Sequence, residues 1–154
     1  MTRVAAIDCG TNSIRLLVAD GHIDENGRPQ LADLTRQMRI VRLGQGVDAR
    51  GYLDPAAIER TVEATVEYQR MIEALGATRT RFVATSATRD ASNSADFVRQ
   101  IKAIIGVEPE VVVGTEEASL SFNGAVSGLG ESVTAPMLVV DIGGGSTELV
   151  LGAT

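Results

Sequence analysis

One pattern occurs twice in this chain and limits its fold more than anything else in it. Ala6-Ile7-Asp8-Cys9-Gly10-Thr11-Asn12-Ser13 and Val139-Val140-Asp141-Ile142-Gly143-Gly144-Gly145-Ser146 each run an apolar strand into an aspartate and a glycine-bearing turn with hydroxyls. A second apolar strand leaves each turn, Leu16-Leu17-Val18 in one copy and Leu149-Val150-Leu151 in the other. Aligned on the aspartates, Gly10 falls on Gly143, Ser13 on Ser146, Arg15 on Glu148 and Leu16 on Leu149. Glycine has no Cβ, so backbone N–H groups can converge on a phosphate oxygen. The aspartates Asp8 and Asp141 can then reach a magnesium ion riding on that phosphate. A single glycine turn between apolar runs is usually hairpin punctuation. Three consecutive glycines at 143–145 exceed what a hairpin needs, and an unpaired aspartate ending an apolar strand costs stability. Together the copies predict two jaws of a phosphate clamp, Gly10, Thr11, Asn12 and Ser13 facing Gly143, Gly144, Gly145 and Ser146.

With 44% hydrophobic residues in 154, the chain can bury a proper core. At 3% aromatics and no Trp, that core is built from Ala, Val, Ile and Leu. Cys9 is the single cysteine, which excludes an intramolecular disulfide, and its expected place is a buried strand end. No stretch resembles a signal peptide or approaches the roughly 18 apolar residues of a membrane span, so the expected setting is cytoplasmic. A net charge of −6 argues against general affinity for nucleic acid or anionic membrane. It leaves open a phosphate polymer held locally by N–H groups, arginines and metal.

The patterning predicts strands at 3–8, 14–20, 34–43, 81–85 and 110–113, hence an antiparallel meander followed by β-α units in an α/β domain. A helix opens at Asp54-Pro55, presents Ile58, Val62, Val66, Ile72 and Leu75, and closes at Gly76. A second carries Phe97, Val98, Ile101, Ile104 and Ile105, and a third is capped by Thr115 with Glu116 and Glu117 in its first turn. Residues 86–94 read as a polar loop. Residues 127–132 have linker composition, predicting a first domain over 1–130 and the start of a second over 131–154. The hairpin of that second part has no predicted partner in this chain. Its apolar side chains, Leu138, Val140 and Val150 among them, are expected to be uncovered, which favours self-association, for instance as a homodimer.

The order Asp8-x-Gly10-Thr11-Asn12-Ser13, Thr85-Ser86-Ala87-Thr88-Arg89-Asp90-Ala91-x-Asn93, Gly114-Thr115-Glu116-Glu117-Ala118 and Asp141-Ile142-Gly143-Gly144-Gly145-Ser146-Thr147-Glu148 resembles the exopolyphosphatase/guanosine pentaphosphate phosphohydrolase family. The resemblance runs from Ala5 to Gly152 and implies a ribonuclease-H-like, actin-like ATPase lobe. Its sheet would be mixed and five-stranded with helices, followed by the first hairpin of a truncated second lobe. It also implies hydrolysis of a terminal phosphoanhydride of inorganic polyphosphate or guanosine pentaphosphate, with Mg²⁺ or Mn²⁺ as cofactor.

By that resemblance Glu117 matches the catalytic glutamate, while Asp141 and Glu148 match acidic residues near metal and phosphate. A carboxylate at Glu117 would accept a hydrogen bond from the attacking water. Taken by itself, a helix start explains both Glu116 and Glu117; only the motif singles out Glu117. Arg89 is expected to pair with phosphate. Arg15 is open between a salt bridge and a phosphate contact. Arg36, Arg39 and Arg42 read as solvated strand charges, with Arg42 the best placed to reach the cleft because it precedes Gly44 closely. His22 is expected in a turn, with no Cys, His or Ser partner nearby and no assigned role. Two other classes stay open, an ATP-using kinase or chaperone ATPase of the same superfamily and a non-catalytic polyphosphate- or alarmone-binding module. Nucleotide turnover separates the first, and binding without phosphate release the second.

Overall fold

A computed structural model describes residues 1–25, 27–127, 129 and 134–152. Strands β1 (Thr2–Cys9) and β2 (Ser13–Ile23) form the first hairpin, with Asp8 opposite Arg15 and Cys9 opposite Ile14. Strand β3 (Pro29–Ile40) pairs antiparallel with β2, through an irregularity at Val18/Ala19. Helices α1 (Val47–Arg50) and α2 (Pro55–Leu75) follow, then β4 (Arg79–Ala84) parallel to β1. After α3 (Ser86–Arg89) and α4 (Ser94–Ile105), the short β5 (Glu110–Val111) pairs parallel with β4. The sheet is mixed and five-stranded in the order β3-β2-β1-β4-β5. The helix α5 (Gly114–Ser127) leads to a separate two-stranded sheet, β6 (Met137–Ile142) with β7 (Thr147–Gly152).

Strand alternation sorts this sheet into two faces. Ile7 and Cys9 of β1, Ile14, Leu16 and Val18 of β2, and Phe82 and Ala84 of β4 are buried with Tyr68 and Ile72 of α2 and Phe97 and Ile101 of α4. The alternate residues, Ala6, Asp8, Arg15, Leu17, Arg81 and Val83, line a cleft on the opposite face. Parity therefore puts Asp8 and Arg15 in the cleft and the Cys9 thiol in the core. Helix α2 starts where its cap residues require: the Asp54 side chain accepts the Ala56 N–H at 2.9 Å, and Gly76 ends it at φ 70°. Its buried Thr61 and Thr65 hydroxyls donate to carbonyls one turn back, and the Tyr68 hydroxyl donates to Ile14 O, so these polar groups are paired in the core.

Several boundaries differ from expectation for local reasons. The third strand spans 29–40, because Val41 and Arg42 leave the sheet to donate both N–H groups to Asn12 O. Residues 86–89 form a helical turn in which Thr85 O accepts from Thr88 and Arg89 N–H. Helix α5 begins at Gly114, one residue before Thr115, because Val113 O accepts from both Glu116 and Glu117 N–H. His22 lies within β2, opposite Gln30. The expected domain boundary near residue 130 lies outside the described residues.

The β6–β7 hairpin has a partner within this chain, contrary to expectation. Its register puts Met137, Val139, Asp141, Glu148, Val150 and Gly152 on one face, and Leu138, Val140, Ile142, Leu149 and Leu151 on the other. The first face is buried or half-buried against α5, where a Cβ on Gly152 would stand 2.5 Å from Phe122 Cζ. Val150 therefore faces inward, contrary to expectation, while Leu138 and Val140 are exposed. The outer face is exposed, Leu149 at 67% and Leu151 at 70%. No helix among the described residues is long and apolar enough to cross a membrane.

Candidate active site

The two turns close with the same hydrogen bond. Gly10 N–H donates to Ser13 O at 3.0 Å, and Gly143 N–H donates to Ser146 O at 2.9 Å. None of Gly10, Gly143, Gly144 or Gly145 adopts a left-handed backbone conformation, so φ is not what selects glycine here. Space is. A Cβ on Gly145 would stand 2.7 Å from Thr11 Oγ1 and 2.9 Å from Ser86 Oγ, and one on Gly144 would stand 3.2 Å from Asn12 Cβ. The second jaw rests on the first, and Ser86 braces the contact through a 3.0 Å hydrogen bond with the Thr11 hydroxyl. A Cβ on Gly44 would come within 2.3 Å of Thr11 Cγ2 from the other side.

Both turns border a cleft of about 1090 Å³ between the open sheet face and α5 with its hairpin. Asp8, Gly10, Thr11, Asn12, Ser13, Glu117, Asp141, Gly143, Gly144, Gly145 and Ser146 all line it. Enclosure by the cleft walls raises the Asp8 pKa; Arg15 opposes this and Asp141 adds to it. The first and second jaws thus present like charges to one another. Among the described residues no three His, Cys, Asp or Glu side chains form a ready metal cage. Opposed carboxylates at Asp8 and Asp141 instead suit a cation that arrives with most of its ligands, as Mg²⁺ does on a phosphate.

Glu117 reaches the cleft from the first turn of α5. Its side chain is 16% exposed, and its Oε2 is buried without a hydrogen bond. Burial raises its pKa first, followed by the Glu148 charge; Arg89 pulls the other way and Asp8 adds to the rise. Arg89 stands 3.5 Å away as an ion pair to that oxygen. With Oε2 turned toward Arg89, the carboxylate meets the cleft by its remaining surface, where it can accept a hydrogen bond from water. Glu148 acts on Glu117 from β7.

Arg89 is placed otherwise than expected. Its Nη1 donates to Val112 O at 3.0 Å and its guanidinium flanks Asp90 and Glu117, so it sits behind the glutamate and does not line the cleft. Glu116 turns away to Arg81, which also binds Glu110. Arg36 and Arg39 pair with Asp33 and Glu67. Arg15, Arg36 and Arg42 line the cleft.

Ser86 and Ser121 also line the cleft, beyond the residues the sequence points to. Ser121 Oγ donates to Asp141 Oδ2 at 2.8 Å, tying the second jaw to α5. Its spacing of four residues from Glu117 puts both on one helical face, a signal legible in the sequence. Ser86 lies inside the Thr85–Asn93 motif, where Arg89 is the residue whose type points to phosphate.

An α/β lobe whose open sheet face holds carboxylates between two equivalent glycine turns defines a protein of the actin-like fold class. Comparison with known proteins narrows this. The model of the Ppx/GppA phosphatase family matches residues 21–154. Exopolyphosphatase 2 of Mycobacterium tuberculosis is 53% identical over 157 residues, which cover 99% of this chain and 49% of that protein. The crystal structure of an exopolyphosphatase-like protein superposes with a TM-score of 0.91 at 48% identity, over 99% of this chain and 45% of the other. A Ppx/GppA family member from Aquifex aeolicus matches with a TM-score of 0.80 at 33% identity, over 99% and 47%. The chain belongs to the Ppx/GppA phosphatase family, and it spans about half the length of the Mycobacterium tuberculosis relative.

Proposed function

We propose that this chain supplies the phosphate-gripping half of a phosphoanhydride hydrolase that releases the terminal phosphate of inorganic polyphosphate. Guanosine pentaphosphate, which presents a terminal phosphoanhydride to the same turns, is the second substrate of this reading. The observation that carries it is Glu117, a largely buried carboxylate that lines the cleft between the two turns and is backed at Oε2 by Arg89. The exopolyphosphatase name of the Mycobacterium tuberculosis relative supports the substrate. Glu117 accepts a hydrogen bond from the attacking water and orients it. Backbone N–H groups of the two turns hold the transferring phosphoryl group, positioned by the contact of Gly144 and Gly145 with Thr11 and Asn12. Asp8 and Asp141, the two aspartates that line the cleft, would hold Mg²⁺ or Mn²⁺, which neutralises charge on the phosphate oxygens when bound; Glu148, expected beside them, does not line the cleft and would add only its charge.

Phosphate release by the natural protein that carries this chain tests the reading, with polyphosphate, guanosine pentaphosphate and ATP supplied in turn. Release from polyphosphate that stops on chelation with EDTA is expected. Full activity in EDTA removes the metal, turnover of ATP alone makes the protein a kinase or ATPase, and binding without release makes it a binding module.

A further inference from the structure

Arg42 is the one non-glycine residue with a left-handed backbone among the described residues, at φ 51°. That conformation is held from several sides. Asn12 O accepts from both Val41 and Arg42 N–H, Thr11 O accepts from Gly44 N–H, and Arg42 O accepts from Gln45 N–H. Arg60 Nε adds a bond to Val41 O at 3.0 Å. The segment is therefore fastened to the back of the first glycine turn and keeps its geometry.

The side chain gains no internal partner from this strain. Arg36, Arg39, Arg81 and Arg89 each pair with a carboxylate, whereas the Arg42 guanidinium is exposed, lines the cleft and has no ion pair or hydrogen bond in the described structure. Strained backbone that presents an unpaired cation to a cleft points to a ligand. The cleft runs from Asp8 on the central strand β1 across β2 to the edge strand β3, where Arg36, Gln37 and Met38 line it. Arg42 follows the end of β3 and so lies toward that side of the cleft. A cleft of about 1090 Å³ far exceeds one phosphoryl group.

Resting on the function proposed above, we infer that Arg42 binds the phosphates behind the terminal one and makes the site prefer an extended polyanion to a short one. The test compares R42A, R42K and R42G with the wild type in the natural protein, on long-chain polyphosphate and on triphosphate. For R42A and R42G on the long chain, KM should rise about 10-fold or more, the loss of one charge-assisted contact. On the same substrate kcat should stay within about threefold. R42K should recover part of the affinity, and triphosphate should be less affected. Because glycine relieves the backbone strain, R42G should melt no lower than wild type, which separates lost binding from lost fold. Unchanged KM on the long chain, or an equal kcat loss on both substrates, overturns the assignment. A wild type that releases no phosphate refutes the proposed function alone. Titration of inorganic polyphosphate onto wild type and R42A then still decides Arg42, with equal affinities overturning it.

Discussion

The two glycine turns share sequence, closing bond and orientation toward the cleft, yet they are mounted very differently. The first leaves β1, the middle strand of the large sheet, with Ile7, Cys9 and Ile14 buried directly beneath it. The second stands on a two-stranded hairpin whose outer face is exposed, held by α5 through Phe122 and the bond from Ser121 to Asp141. A turn's own geometry is local, since Gly10–Ser13 and Gly143–Ser146 close within 0.1 Å of each other (3.0 against 2.9 Å). Its rigidity comes from what lies under it. The first jaw is a finished part of a packed domain, and the second depends on one helix and on its contact with the first.

The largest effect should come from the residue that charges from both jaws act upon. In the natural protein, Glu117→Gln should lower kcat by about 10²-fold or more while substrate still binds, because the neutral amide is a poor proton acceptor. Near-wild-type turnover would remove Glu117 as the group that orients water and would separate the jaws from the chemistry.

The glycines sharpen the comparison next. Gly145→Ala drives a methyl into Thr11 Oγ1 and Ser86 Oγ, whereas a methyl on Gly10 meets Ser13 O at an ordinary 3.5 Å. Activity should fall about 10-fold or more for Gly145→Ala, as jaw displacement near the phosphate does, and much less for Gly10→Ala. Equal losses would mean that the jaws need not touch.

A smaller effect is expected from Ser121→Ala, which removes one hydrogen bond to a carboxylate, about 1–3 kcal/mol. Hydrogen exchange should speed up in β6 and β7 and stay unchanged in β1 and β2. Uniform exchange across both hairpins would contradict their unequal mounting.

The smallest concerns pH. The Glu117 pKa is raised in the folded chain by burial first and Glu148 second, so the folded state binds its proton more tightly than the unfolded state does. Its contribution to stability is therefore largest at low pH and declines as pH rises from the ordinary glutamate value through the raised one. Denaturant titrations in EDTA should show a shallower decline over that window for Glu117→Gln. An unchanged slope would mean that burial does not perturb this carboxyl.

Much of this was legible in local sequence. Asp54, Pro55 and Gly76 mark α2 because caps are decided by neighbours in the chain, and the two turns announce themselves by repetition. What escaped depends on distant segments. Arg89 looks like a phosphate ligand after a strand, but β5 brings Val112 O to it and α5 brings Glu117. The glycines at 144 and 145 read as room for N–H groups to converge on a phosphate, whereas a side chain there would also meet Thr11, Asn12 and Ser86 across the cleft. Val150 changed sides because strand parity depends on a register that composition does not reveal.

Cys9 connects Asp8 to the first turn, and its position gives the site a built-in clock. The thiol is 1% exposed, and burial, with the Asp8 charge behind it, pushes its pKa far up. An alkylating reagent in solution can react with it only during moments when β1 parts from the helices. The labelling rate of this single cysteine therefore measures how often the floor beneath the first jaw opens, and a ligand that grips the turn reports its own binding by slowing that rate.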